Sequence, residues 1–325
     1  MQLRVSKVRI KRADGYSLVE LMVAATLGVL LISSVMAVVI NASQVSSRVE
    51  QAGEIFENAQ YLTRLLKREL RLAGFYGDLD YSLDTGAKKP DICIEINAED
   101  IVSALSYPID GMQAVAEGER LCGRDLLLPG SDVLLLRRSL LATHSPSSRL
   151  KPKQHYIQTA LDKFVLSRGA NSADFSLTQG LSSEPAPVRA WQQTLYYVSA
   201  DNTFKRRRFL EGRYASSEPL VEGVDDFQIE YGLGYASQGD ADGQQIEIKF
   251  VEFPVTELQW QQLVAVRFYL LLSSTEQSSG DYTHKVFNYA GKTTEIFDNR
   301  QHDLFSGISR LKNISPKIVE FDIEI

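Results

Sequence analysis

Few residues in this chain are typed and spaced for chemistry, and those that are point to processing and bonding more than to catalysis. Glu20 sits near the start of the run Gly15–Asn41, GYSLVELMVAATLGVLLISSVMAVVIN, and 27 uncharged positions separate it from Arg48. A carboxylate held in hydrocarbon costs about 3 kcal/mol and is usually paired. Glu20 therefore asks for a cationic partner. Cys93 and Cys122 are the two cysteines. In an oxidising compartment an even count reads as one disulfide, here closing a loop of about thirty residues; two buried thiols are the other reading. No CxxC or HxxxH pairing supports a metal. His144, His155, His284 and His302 are far apart in sequence, which gives neither a catalytic nor a metal role. Asp240-Ala241-Asp242-Gly243 lacks the later ligands of a calcium loop, including its closing glutamate, and reads as a polar turn. No Gly-rich phosphate loop, nucleophile elbow or HExxH occurs. The expectation is a protein that is not an enzyme and holds no cofactor.

The elements that position these residues begin at the N-terminus. Arg4, Lys7, Arg9, Lys11 and Arg12 against Asp14 give the first 15 residues a net charge of +4 within a chain of −6. A basic flank before an apolar run keeps the N-terminus in the cytoplasm and exports the body. The run is longer than a secretory signal core needs and long enough to span the hydrocarbon as a helix. Ile40-Asn41-Ala42 offers a weak signal-peptidase site, and an uncleaved signal-anchor is a further reading. The exported body is acidic, which gives no general pull toward nucleic acid.

The helical pattern continues past the span. Val45, Val49, Ala52, Ile55 or Phe56, Ala59, Leu62, Leu66 and Leu70 recur at spacings of three and four, one apolar stripe on a helix. Arg64, Lys67, Arg68 and Arg71 suit its C-terminal end, and Gly74 offers a stop. Beyond it the chain reads as strands and loops. Leu79–Gly130 is irregular. Asp132–Ser139 is a buried strand, and residues 140–190 carry long loops. LYYV (195–198) and TFKRRRF (203–209) flank a hairpin turn. Alternation predicts strands through Phe227–Tyr231, Ile246–Phe250 and Val319–Ile325, and Val264–Leu272 reads as a central strand. The basic run Lys205–Arg208 reads as an edge-strand or solvated feature. The fold class is α+β: one long N-terminal helix packed on an antiparallel sheet.

Several of these pieces together resemble a known family. Gly15-Tyr16 followed by Glu20, after a basic leader and opening an apolar run, resembles the class III signal of type IV prepilins and pseudopilins. LKRELRLAGFYG (66–77), SDVLLLRR (131–138), LVEGVDDFQIEYG (220–232), Trp260–Arg267 and the closing RLKN (310–313) look like the PilW-type minor pilins, in the same order. Tyr16 stands where the family usually has Phe, the span has no Pro, and twelve residues follow Asn313.

The resemblance implies that prepilin peptidase cuts between Gly15 and Tyr16 and methylates the new amine of Tyr16. Glu20 would then neutralise the amine of a neighbouring subunit. It divides the chain into a leader (1–15), a helix (16–73, spanning the membrane to about 41) and a periplasmic body (74–325). It implies assembly with other minor pilins, the major pilin, the inner-membrane assembly platform and a tip adhesin. The prepilin would lie in the inner membrane and the mature subunit in the filament. Nucleic acid is not expected as a partner. A J-like pseudopilin of type II secretion and a membrane-anchored periplasmic binding protein or adhesin are the competing readings.

Overall fold

The computed structural model describes residues 15, 17–79, 88–93, 103–146, 148–160, 163–179, 182–237, 245–277, 282–314, 316 and 319–320. Two units meet between Glu50 and Gln51. Helix α1, Leu18–Leu72, begins in the first and ends in the second. Seventeen strands follow among the described residues. They are β1 (Ile109–Met112), β2 (Arg120–Leu121), β3 (Asp125–Leu126), β4 (Val133–His144), β5 (His155–Ala160), β6 (Lys163–Arg168), β7 (Val188–Ser199), β8 (Thr203–Leu210) and β9 (Arg213–Tyr214). The remainder are β10 (Glu218–Glu222), β11 (Val224–Ser237), β12 (Gln245–Val251), β13 (Leu263–Ser273), β14 (Thr283–Tyr289), β15 (Lys292–Asp298), β16 (His302–Arg310) and β17 (Val319–Glu320). A short helix α2, Glu257–Gln261, precedes β13 and is held by a Thr256–Gln259 capping box.

Within the second unit, α1 buries Gln51, Ile55, Ala59, Leu62, Leu65, Leu66, Glu69 and Leu70. The expected stripe is present from Ile55 onward. The choice between Ile55 and Phe56 resolves to Ile55, because Phe56 is 56% exposed. The unforeseen member is Glu69, a charge on the buried face.

Two sheets receive this face. One runs β1-β4-β7-β5-β6, with β8 paired to the second half of β7 and carrying β9 and β10 beyond it. The other runs β12-β11-β13-β16, with β17 parallel to the end of β11. One core joins Leu62, Leu66 and Leu70 of α1 to Leu134, Leu136, Tyr196 and Val198 of the first sheet and to Phe227, Val266 and Phe268 of the second. Strand alternation sends the odd-numbered Val133, Leu135, Leu195 and Tyr197 to a separate core on the opposite face, beside the cysteines.

The expected hairpin, the strand near 132–139 and those through 227–231, 246–250 and 264–272 are all present. Residues 140–190 hold more order than the loops suggested: β5, β6 and the start of β7 lie there. Of Val319–Ile325, the first two residues form β17, and the rest lie outside the described residues, as do Asp240–Gly243. The reading of Lys205–Arg208 as an edge or solvated run is corrected. Strand β8 is paired on both sides, and Arg207 is 2% exposed.

The helix ends where Gly74 adopts φ +76°, a backbone region glycine enters without penalty. Asn313 closes the same point. Its Nδ2 donates to the carbonyls of Arg71 (2.7 Å) and Ala73 (3.5 Å), two groups the helix cannot satisfy itself. A Cβ on residue 74 would stand 2.8 Å from the Asn313 carbonyl. The LAG and RLKN segments are thus two sides of one lock. Asn313→Ala should lower stability by about 1 kcal/mol. Gly74→Val should cost more, since strain and a clash add. Thermal melts of the detergent-solubilised chain rank the two.

Candidate functional site

The first unit is a helix with nowhere to bury itself. From Leu18 to Ile40 its large apolar side chains are all more than half exposed, Leu18 at 74% and Ile32 at 68%. It is the one helix among the described residues long and apolar enough to cross a membrane. Its hydroxyls make no demand on a partner. Thr26 donates to the Val23 carbonyl, Ser33 to Val29 and Ser34 to Leu31, so each is satisfied by the helix itself. That leaves Glu20 as the one ionisable side chain in the span, exposed and unpaired among the described residues. Gly15 is exposed with open space around its Cα. Tyr16 and the basic leader lie outside the described residues.

The second unit grips its end of α1 by charge as well as by packing. Arg138 of β4 places Nε and Nη2 3.1 and 3.0 Å from Glu69 Oε2, while Arg68 reaches Oε1 at 3.2 Å. Both partners of the main pair are largely withdrawn from water, and Glu69 is thereby a paired rather than an orphaned buried charge. The preceding residue, Arg137, points the other way along the strand and is fully buried. It donates to Gln193 Oε1 (2.7 Å), the Tyr107 carbonyl (2.5 Å) and Asp110 Oδ2 (3.5 Å). Lys89 completes the set at 2.7 Å from Asp110 Oδ1, with its ammonium 4.4 Å over the Trp260 ring.

The two aspartates of GVDDFQIEYG divide the remaining work. Asp226 Oδ1 accepts from Ser131, Gln228 and the Phe227 amide, and its Oδ2 takes Tyr289 and Lys292, both at 2.5 Å. Asp225 accepts from Asn202 and Ser273 and faces His302. Asp132, from SDVLLLRR, binds the amides of Ala114 and Ile229, both at 2.8 Å, and so ties the first sheet to β11. Burial pushes the Asp132 carboxyl up to about 6 against those hydrogen bonds. None of these aspartates stood out by spacing, because their partners lie up to about a hundred residues away.

Cys93 and Cys122 form a disulfide, with Cα atoms 5.1 Å apart. Ile92 and Leu121 beside them belong to the core on the far face of β4 and β7. The basic run is spoken for: Arg206 and Arg208 both bind Glu218, and Arg207 donates to the Ala215 carbonyl and pairs with Asp125. The histidines remain apart. His155 is buried and lowered to about 4 by that burial and by Arg168, and His284 pairs with Glu295 on the surface. Among the described residues no three His, Cys, Asp or Glu side chains are grouped to hold a metal ion.

Comparison with known proteins gives a family match over part of the chain. Residues 195–313 match the family described as Type IV Pilus-assembly protein W. The matched span opens at Leu195 of LYYV and closes on Asn313, the residue that locks α1. No curated protein matches the chain. Among solved structures, a type IV-like pilin from Thermus thermophilus is similar at 11% identity and a TM-score of 0.33, over 80% of this chain and 97% of that one. The chain is a membrane-length apolar helix whose far end is seated on an antiparallel body, and residues 195–313 of that body are PilW-like.

Proposed function

We propose that the chain is a minor pilin that helps to initiate type IV pilus assembly, at or near the filament tip. The carrying observation is the contrast along α1. The half beyond Gln51 buries one apolar stripe against the body, and Asn313 meets carbonyls at its end. The half before it exposes every large apolar side chain, with Glu20 as the one carboxylate inside the apolar span. Lipid satisfies the apolar surface at first; a bundle of like helices satisfies it later, and only that setting supplies Glu20 with a cation. Prepilin peptidase cuts between Gly15 and Tyr16, removing the basic leader, and the methylated Tyr16 amine of one subunit meets the Glu20 carboxylate of the next. Other minor pilins, the major pilin and the inner-membrane platform are the partners in this reading, with a tip adhesin above them.

A pseudopilin of type II secretion would use the same helix. Deleting the gene separates the two: lost piliation with intact exoprotein secretion supports the pilus, and the reverse outcome rejects it. Complementing the deletion with Glu20→Ala should restore membrane insertion but not filament incorporation, read by fractionating sheared filaments. Full incorporation of that variant would remove Glu20 from its role.

A further inference from the structure

His302, the first residue of β16, is 3% exposed by side chain and lies between two carboxylates. Its Nδ1 is 2.9 Å from Asp225 Oδ2 at the start of β11. Its Nε2 is 2.9 and 3.0 Å from the two oxygens of Asp298 at the end of β15. A neutral imidazole has one N–H and one lone pair, and an ionised carboxylate only accepts. With neutral His302, one nitrogen lone pair would face carboxylate oxygen inside a buried site. The doubly protonated ring satisfies both sides.

The surroundings keep the two carboxylates unequal. Asp225 also accepts from Asn202 of the β7–β8 turn and from Ser273 of β13, at 2.8 and 3.1 Å. Asp298 has otherwise the amide of Arg300, two residues on, at 3.0 Å. The other charged groups nearby are engaged elsewhere. Lys285 of β14 donates to the Arg300 carbonyl, and Lys292 of β15 and Tyr289 of β14 are held by Asp226. Asp303, next on β16, is exposed.

Among the described residues, strands β14 and β15 pair only with each other. Their turn, at Tyr289–Lys292, is fastened to Asp226; their root, at Asp298, is fastened to His302. The geometry points to His302 as a proton-controlled latch that holds the root of the β14–β15 hairpin to the five-stranded sheet and releases it on deprotonation. Asp225 keeps its other donors when the proton leaves, so Asp298 is the partner repelled, and the hairpin root moves while its turn stays fastened. That hairpin carries an exposed aromatic group, Tyr282 stacked on Phe297 at 6.0 Å with His284 at 6.3 Å, and the latch would set how firmly that group is presented.

Burial by itself would lower the His302 pKa; the hydrogen bonds to Asp225 and Asp298 outweigh it and hold the ring above the ordinary histidine value. The stabilisation is therefore fully present below about pH 6.5 and is lost as pH rises through the folded pKa.

The test uses the full chain in detergent, with histidine side-chain NMR assigned by His302→Gln and hydrogen exchange followed across residues 283–298. His302 should keep both N–H protons above about pH 6.5, the ordinary histidine value. As they are lost, hairpin protection, corrected for intrinsic exchange, should fall several-fold while β13 stays protected. Asp298→Asn offers both an acceptor and a donor and so can serve a neutral ring; its hairpin protection should not change with pH. A His302 that titrates at or below the ordinary histidine value, hairpin protection unchanged through its titration, or an unaltered pH response in Asp298→Asn would each overturn the latch.

Discussion

Arg137→Ala is expected to destabilise the body by about 3–5 kcal/mol, the range for breaking a buried charge cluster on one side. The guanidinium is inaccessible and makes three contacts, to Gln193, Tyr107 and Asp110. Truncation strands a buried carboxylate, a side-chain carbonyl and a main-chain carbonyl together. Asp110 would keep Lys89 and the Gly111 amide, which bounds the loss. Two comparisons make the cause visible in thermal melts. Arg137→Met with Asp110→Asn should recover part of the loss, because no full charge then remains buried. Arg206→Ala, at a half-exposed pair with Glu218, should cost less than about 1 kcal/mol. Equal losses at Arg137 and Arg206 would mean that the buried cluster has no special weight.

Removing the Cys93–Cys122 bridge is expected to cost about 3 kcal/mol from the chain entropy of the closed loop. The bridged residues are 29 apart and border the core formed by Ile92, Leu121, Leu127 and Tyr197. Losing the tether should therefore loosen the far face of the first sheet before the face that seats α1. Cys93→Ala, Cys122→Ala and the double variant should melt alike, since either change removes the whole bridge. A reductant should bring the parent down to their level and leave the variants unmoved. A parent indifferent to reductant would show that the bridge does not contribute.

The elements that could be read from local pattern are those that depend on it. The helix end was marked by Gly74, the β7–β8 hairpin by the four residues between LYYV and TFKRRRF, and β11 and β13 by alternation or apolar run. What stayed hidden depends on pairs distant in sequence. Glu69 gave no sign of being buried, because its reason for burial, Arg138, is 69 residues on. Asn313 looked like a closing signature and proved to be the cap of a helix ending 241 residues earlier at Leu72. Lys205–Arg208 misled for the same cause: Glu218 and Asp125, which neutralise it, arrive from other strands. The segments that carry the resemblance are recognisable in the sequence before their packing is. SDVLLLRR supplies Asp132, Arg137 and Arg138; GVDDFQIEYG supplies Asp225 and Asp226; together they brace α1 and join the sheets.

The claim that the N-terminal helix is a processed filament helix, not a permanent anchor, is tested most directly at its first residue. Mass spectrometry of the protein recovered from cells with an active prepilin peptidase should find a mature chain beginning at N-methylated Tyr16, with Glu20 as its fifth residue. A chain that retains Met1, or one that begins at Ser43 after a signal-peptidase cut, would contradict the account.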